Sequence, residues 1–500
     1  MKLPRTYYNY ISYLGSIIAI IAAFAITFFV IQINFFQTDN VYFDLFAYLV
    51  TPGFLVFGLI LIPTGMYLKK RKLKKGLPVS DEKLLVINLR DPQTRNAILI
   101  FTVVTIFFVI ATVIGSYKGF HYTESVEFCG KLCHKVMEPE YVAYQHSPHA
   151  RVKCAECHVG EGADFYVKSK MSGLRQVYKY ILGTYPRNIE TPIANLRPAR
   201  ETCEKCHWPQ KFYTNKIRSQ KYYLADSANT EWDVIMKMRI GADHSALGNT
   251  EGIHWHINND VEITYQADEK RQTIPWVRYF NKSTGKEIVF VEEDTSIHPT
   301  VKEVATTEKR MMDCMDCHNR PSHEYFSPPH YVNELFAGNR IDTKVPYLKS
   351  AAMEATNDLY TTKDSAFAGI NDQMIKYYKE GYPALFSKYE KEIKKAVTAI
   401  QEEFSYNTFP YMRVSYKKYP RNIGHFENKG CFRCHDDKHK SSDGKVISKD
   451  CNLCHTLIGQ GQRDSIKYSP INGTMPFIHP VDIGEDWKTT NCSNCHFEMF

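Results

Sequence analysis

Every one of the fourteen cysteines in this chain belongs to a short motif that ends in histidine, and that one pattern limits the fold more than anything else. Six motifs are strict C-x-x-C-H: Cys154, Cys157 and His158; Cys203, Cys206 and His207; Cys314, Cys317 and His318; Cys431, Cys434 and His435; Cys451, Cys454 and His455; Cys492, Cys495 and His496. A seventh, nearest the N-terminus, has one extra residue between its cysteines: Cys129, Cys133 and His134. They are numbered one to seven in chain order. The spacing reads as c-type haem attachment: two thiols form thioethers to the vinyl groups of one porphyrin, and the next histidine faces the iron. Zinc sites and redox dithiols also use C-x-x-C, but seven such motifs with no cysteine left over leave those readings little room. A disulfide framework does not explain a histidine after every second cysteine. The expectation is seven covalently bound haem c groups.

Charge and hydropathy add a membrane. The formal charge is +8, concentrated in residues 69–95, which hold nine Lys/Arg against three Asp/Glu. The basic excess therefore reads as a topology signal, and nucleic acid is not expected as a partner. Three apolar runs, about 11–33, 45–68 and 97–117, approach or exceed the roughly 20 residues a spanning helix needs. The second is interrupted by Pro52, Gly53 and Pro63. The tail before the first run is basic, the loop Asn34 to Tyr42 has no Lys or Arg, and the loop from Lys69 to Lys75 is strongly basic. The positive-inside rule then puts the N-terminus in the cytoplasm and residues 118–500 outside, the side on which c-type haem is attached. This implies a multi-pass protein of a bacterial inner membrane with a periplasmic haem domain.

The expected fold is mainly α. A membrane domain, 1–118, contains the basic cytoplasmic loop 69–95. A trihaem segment follows at 119–210, a cysteine-free β-containing insertion at 211–313, and a tetrahaem segment at 314–500 with a helical region near 345–405. In the insertion, Val261 to Tyr265, Ile274 to Phe280 and Glu287 to Val291 read as strands, with a turn at Ser283 to Lys286. Asp372 to Gly381 and Pro383 to Phe404 read as helices, Gly381 suiting a helix end and Pro383 a first position. The remainder is rich in turns, as expected where packed porphyrins replace a side-chain core.

Seven proximal histidines follow from the motifs, and twelve further histidines remain. That supply permits bis-histidine ligation, which suits electron transfer more than substrate binding at iron. The favoured distal ligands are His149, His254, His323, His425, His439 and His479, several of them beside proline. Met137, three residues after His134, is a ligand candidate for the first haem. All seven motifs end in histidine, which argues against a terminal reductase with an open iron.

From Cys129 to about Trp208 the residues resemble the NapC/NirT family of membrane-anchored quinol dehydrogenase cytochromes. Met137, Glu138 and Pro139 follow motif one; Tyr141, Tyr144, Ser147 and His149 come next; Lys168, Lys170, Ser172 and Gly173 lie beyond motif two. The rest of the chain is similar to the ImcH-type inner-membrane cytochromes of metal-respiring bacteria. The resemblance implies menaquinol as electron donor near motif one. Lys168 or Lys170 would meet the quinol headgroup, and Gln176 stands at the family's acidic position. It also implies periplasmic c-type cytochromes or a reductase as acceptors, and is compatible with a homo-oligomer or a larger membrane complex. Family members have one N-terminal span where this chain has three. An alternative role is an electron relay and anchor whose quinol chemistry is done by a partner.

Overall fold

The computed structural model describes residues 4–36, 50–75, 90, 92–132, 134–160, 163–193, 197–244, 250–294, 309–471 and 473–497. The expected second-span residues 45–49, most of the loops flanking that span, and Cys133 lie outside these residues, and so does the side chain of His134. The chain forms two compact units: residues 1–137 with 153–155, and residues 138–152 with 156–500.

The first unit is built on three long apolar helices, α1 (Tyr10–Phe36), α2 (Thr51–Lys74) and α3 (Pro92–Thr123). Each contains a stretch long and apolar enough to cross a bilayer: Tyr10–Phe29, Thr51–Lys74 and Thr102–Thr123. α2 ends more than a turn and a half beyond the apolar run read from sequence. Pro52 sits in its first turn, where the missing N–H costs nothing, and Pro63 is carried inside the helix. Its last turn holds Arg71, Lys72 and Lys74, cations that complement the negative helix end. α1 and α2 pack backbone to backbone through small residues. A Cβ on Gly15 would come within 2.6 Å of the Gly58 carbonyl oxygen, and one on Gly58 within 2.7 Å of the Ala19 nitrogen. Ser12, fully buried, donates its hydroxyl to the Ile62 carbonyl (2.9 Å). Close contact of small residues with a polar bond is the usual means of joining helices in lipid. A short helix, α4 (Val126–Lys131), follows, capped by the Ser125 hydroxyl accepting from Phe128 N (3.1 Å). It carries Cys129.

Helix α5 (His134–Gln145) leads into the second unit, which also contains α6 (Ala163–Ile181). Nine strands, among the described residues, make two antiparallel sheets. The first has the order β1 (Asn215–Tyr223), β2 (Glu231–Arg239), β8 (His455–Gln462), β9 (Lys467–Tyr468). The second has the order β6 (Arg310–Met311), β3 (Val261–Gln266), β4 (Trp276–Asn281), β5 (Glu287–Glu292), β7 (His439–Ser441). The three strands read from sequence are β3, β4 and β5. The small β insertion expected at 211–313 needs correction: β2 pairs with β8 from Trp232↔Gln462 to Met238↔His455, and β5 pairs with β7. Strands from the C-terminal segment thus complete both sheets.

A conventional side-chain core is also present, contrary to the expectation of a core made largely of porphyrin. Helices α7 (Pro328–Ala337), α8 (Leu348–Thr356), α9 (Lys363–Lys376) and α10 (Pro383–Asn407) bury Leu335, Leu348, Ile370, Met374, Ile393 and Ile400 together. α9 ends in a wider turn at Tyr377–Gly381, and Pro383 opens α10, as the sequence suggests. Lys349 is buried in this core. Its Nζ donates to the Tyr223 carbonyl (2.5 Å) and to Asn333 Oδ1 (2.6 Å), and burial pulls its pKa down to about 7.

Candidate haem sites

Each described cysteine motif ends a local structure that holds it in place. Cys314–Cys317 forms one helical turn with a capping box: Asp313 accepts from Met315 N (2.8 Å), and Asp316 Oδ2 accepts from Asp313 N (2.7 Å). Cys451–Leu453 is a tight turn whose histidine, His455, opens β8, so sheet register fixes that imidazole. Cys492–His496 is a short helix.

Five of the motif histidines meet second imidazoles. Ring centroids are separated by 6.1 Å for His158 and His323, 6.0 Å for His207 and His149, 5.9 Å for His435 and His256, 6.1 Å for His455 and His425, and 6.1 Å for His496 and His479. These gaps are too wide for stacking and too regular for chance. Two imidazoles bound through nitrogen to opposite sides of one metal, each at ~2 Å, put their centroids about 6 Å apart. The residues therefore fit an iron between each pair. Among the described residues, no group of three or more ligand side chains converges on a bare ion.

Five of these ten imidazoles have an outer ring nitrogen bonded in the manner of metal ligands, while Nδ1 of His425 and of His455 is buried without a hydrogen bond. Nδ1 of His323 donates to the Glu140 carbonyl (2.9 Å), His256 to Ile253 (2.7 Å), His435 to Ser448 (2.9 Å), His479 to Val481 (2.7 Å) and His149 to Pro321 (3.2 Å). Such a bond directs Nε2 toward the partner ring. Burial lowers the pKa of His158, His256, His323 and His455, and brings His425 and His496 down to about 4, which favours the neutral imidazole an iron needs.

Two expectations change. His439 is fully buried, but its Nδ1 bonds the Asp436 carboxylate (3.0 Å) and its Nε2 bonds the Ile274 carbonyl (2.8 Å). With both nitrogens engaged it is a structural residue of β7. His256, not singled out in the sequence, faces His435 instead. His254 and His256 lie two apart in the turn Ile253–Ile257, so their rings point to different sides. His254 donates Nδ1 to the Ile240 carbonyl (3.0 Å) and stacks on Phe212. Burial lowers His318, and the largest neighbouring charge on it is His254. Met137 is half-buried on α5, one turn beyond His134.

The sites touch one another in chain order. Cys129 and Cys154 share a side-chain hydrogen bond, which lowers Cys154 to about 7. Pro321, whose carbonyl holds His149, is two residues before His323. Burial raises Cys314 to about 11, with the Cys203 sulfur the next contribution. Arg433, inside motif five, donates Nη2 to the Asp316 carbonyl inside motif four (2.7 Å) and Nη1 to the Arg271 carbonyl (2.7 Å). Phe432, also in motif five, stacks on His425 at 4.2 Å, and the next residue, Phe426, stacks on His496 at 4.2 Å.

The residues expected at the quinol site share α6 but not a face. Lys168 lies over the Phe165 ring (5.5 Å), Lys170 over Tyr166 (4.8 Å), and Gln176 Nε2 reaches Ser172 Oγ (3.5 Å). At 3.6 residues per turn, Lys168 and Lys170 point about 200° apart. The structure does not bring the three together.

Paired cysteines closed by histidine, facing imidazoles and apolar helices of spanning length define the class: a membrane-spanning c-type cytochrome with covalently bound haem c, serving electron transfer. The model of the NapC/NirT cytochrome c family, N-terminal region, matches residues 91–191, from α3 through α6. The chain is 42% identical to cytochrome c-type protein ImcH of Geobacter sulfurreducens over 98% of this chain and 95% of that protein. It is 30% identical to cytochrome c-type protein NrfH of Wolinella succinogenes over 22% of this chain and 63% of that protein. No solved structure matches it. The chain belongs to the NapC/NirT cytochrome c family.

Proposed function

We propose that the chain carries seven haem c groups, takes electrons from menaquinol at the membrane and delivers them to a periplasmic c-type cytochrome or reductase. The observation that carries this reading is the set of five histidine pairs at 5.9–6.1 Å, linked by contacts that follow chain order. Bound there, haem c supplies one-electron transfer. His323, His149, His256, His425 and His479 would hold the iron opposite the histidines of motifs two, three, five, six and seven. His254 would serve motif four, where it lies near His318, and Met137 would serve motif one. Neighbouring carbonyls fix the imidazole tautomer of His323, His149, His256, His479 and His254.

Quinol oxidation releases two protons as well as two electrons, so a side chain near the headgroup must accept or relay protons. Lys168 or Lys170 polarises the headgroup oxygen; because they point apart, a given headgroup meets one of them. The haem domain lies in the periplasm, with the basic segment after α2 in the cytoplasm. Stopped-flow haem reduction by a menaquinol analogue tests this with the full-length holoprotein in nanodiscs. At least a tenfold rate loss is expected in either Lys168→Ala or Lys170→Ala, and unchanged rates in both would remove the lysines from the site.

A second reading is that the chain relays and anchors while a partner oxidises the quinol. It is favoured by the failure of Lys168, Lys170 and Gln176 to converge. Reduction of the purified protein by quinol, without partners, would end it.

A further inference from the structure

Helix α6 presents an apolar stripe that the protein leaves uncovered. Val167, Met171, Leu174, Tyr178 and Ile181 are all exposed, between 58% and 74%. At 3.6 residues per turn they fall within an arc of about 80°. The opposite side of the helix is the one that packs: Phe165, Ser169, Gly173 and Tyr180 are half-buried, and the Arg197 guanidinium lies 4.2 Å over the Phe165 ring. So the stripe points away from the body of the second unit. An aqueous surface helix has the reverse arrangement, with its apolar face inward.

Charge identifies the occupant. Lys168, Arg175 and Lys179 border the stripe on one shoulder and Lys170 on the other, by the same helical phase. Between Phe165 and Ile189 the sequence contains five Lys/Arg and no Asp or Glu. A protein partner or a second copy would be met by mixed charge. An apolar stripe with cations on both shoulders matches acyl chains bordered by phosphate, because long basic side chains reach up to headgroups while their stems stay in the apolar layer. The bilayer is within reach by covalent linkage, since the third candidate span ends at Thr123, forty residues before α6 begins.

We propose that α6 is an interfacial helix, lying in the plane of the outer leaflet with Val167, Met171, Leu174, Tyr178 and Ile181 in the acyl layer and Arg175 and Lys179 on anionic headgroups. The chain would then hold the membrane at a fourth place without crossing it there. This inference does not depend on the quinol reading, and its test involves no quinol.

The test is photo-crosslinking in nanodiscs of phosphatidylethanolamine and phosphatidylglycerol that contain a lipid with a diazirine on its acyl chain. The full-length holoprotein is irradiated and its peptides mapped. The expected result is labelling of the 167–182 peptide to within about threefold of the 102–123 peptide. A Met171→Glu, Leu174→Glu double variant should lose at least fivefold of the α6 label while its haem spectrum stays unchanged, and Leu174→Met should keep the label. An unlabelled α6 peptide beside a labelled 102–123 peptide would overturn the proposal. So would crosslinks from α6 to a second copy in place of lipid, or a label that survives the glutamate pair.

Discussion

The junction of motifs four and five and the helix α6 solve opposite problems. At the junction, Asp316, Asn422 and Arg433 are buried and bonded to one another. Asp316, 1% exposed, takes the Arg310 Nε (2.5 Å) and the Tyr265 hydroxyl on its side chain, while its carbonyl receives Arg433 and Asn422 (3.0 Å). On α6, apolar groups are exposed and the polar ones bond mainly within the helix itself. The comparison teaches that one fold keeps a rigid interior, where neighbouring redox sites need fixed spacing, and an adaptable face, where a fluid phase is met.

The largest effect should come from breaking the rigid side. Arg433→Met leaves the carbonyls of Arg271 and Gly430 without this donor, leaves that of Asp316 with Asn422 alone, and should cost about 3–5 kcal/mol. Thermal unfolding followed by Soret circular dichroism measures it, and a loss below about 1 kcal/mol would show that the junction is not held this way. Arg320→Met should cost about 3 kcal/mol, because buried Glu140 loses its partner (3.0 Å) while it also bonds His323 (3.2 Å).

Next in size is a spectroscopic change. His256→Met should convert one haem of the set from the bis-histidine signature, read by magnetic circular dichroism and electron paramagnetic resonance. His439→Gln should leave all signatures in place while lowering stability. The reverse pattern would restore His439 as a ligand.

The pH dependence of Lys349 gives a smaller effect. Burial holds its folded pKa at about 7, below the ordinary lysine value of 10.5. Between these values the unfolded chain holds a proton that the native chain does not, so stability rises with pH across that window and is flat for this group on either side. The difference in unfolding free energy between wild type and Lys349→Met should therefore shift toward wild type from pH 7 to 10. A constant difference would mean that Lys349 stays charged when folded. Smallest of all, Gln176→Ala on the exposed face of α6 should change stability by less than about 0.5 kcal/mol by denaturant titration.

The sequence made some of this legible and hid the rest for physical reasons. Cysteine spacing is local chemistry, so the motifs could be read without the fold. β3 to β5 were readable because alternation and a tight turn are local too. β2 escaped because its outer partner is β8, more than 200 residues away, and β1 because it exposes its charged side chains. Choosing among the twelve spare histidines required knowing which nitrogens are free. His439 looked suitable beside motif five, yet Asp436, three residues before it, is the kind of neighbour that ties up a ring. His254 and His256 were ambiguous because a turn separates their directions while the sequence keeps them adjacent. The quinol-site lysines came from resemblance, and helical phase alone would have warned that Lys168 and Lys170 diverge.

One dipeptide carries a consequence for how this protein can change. His425 faces His455 while Phe426, the next residue, lies against His496. The sixth and seventh sites are therefore tied to a single peptide bond. An insertion or deletion anywhere before His425 moves both anchors together, and one between them destroys both. Lineages can lengthen the loops around these two centres, but the pair will be inherited, tuned or lost as one piece.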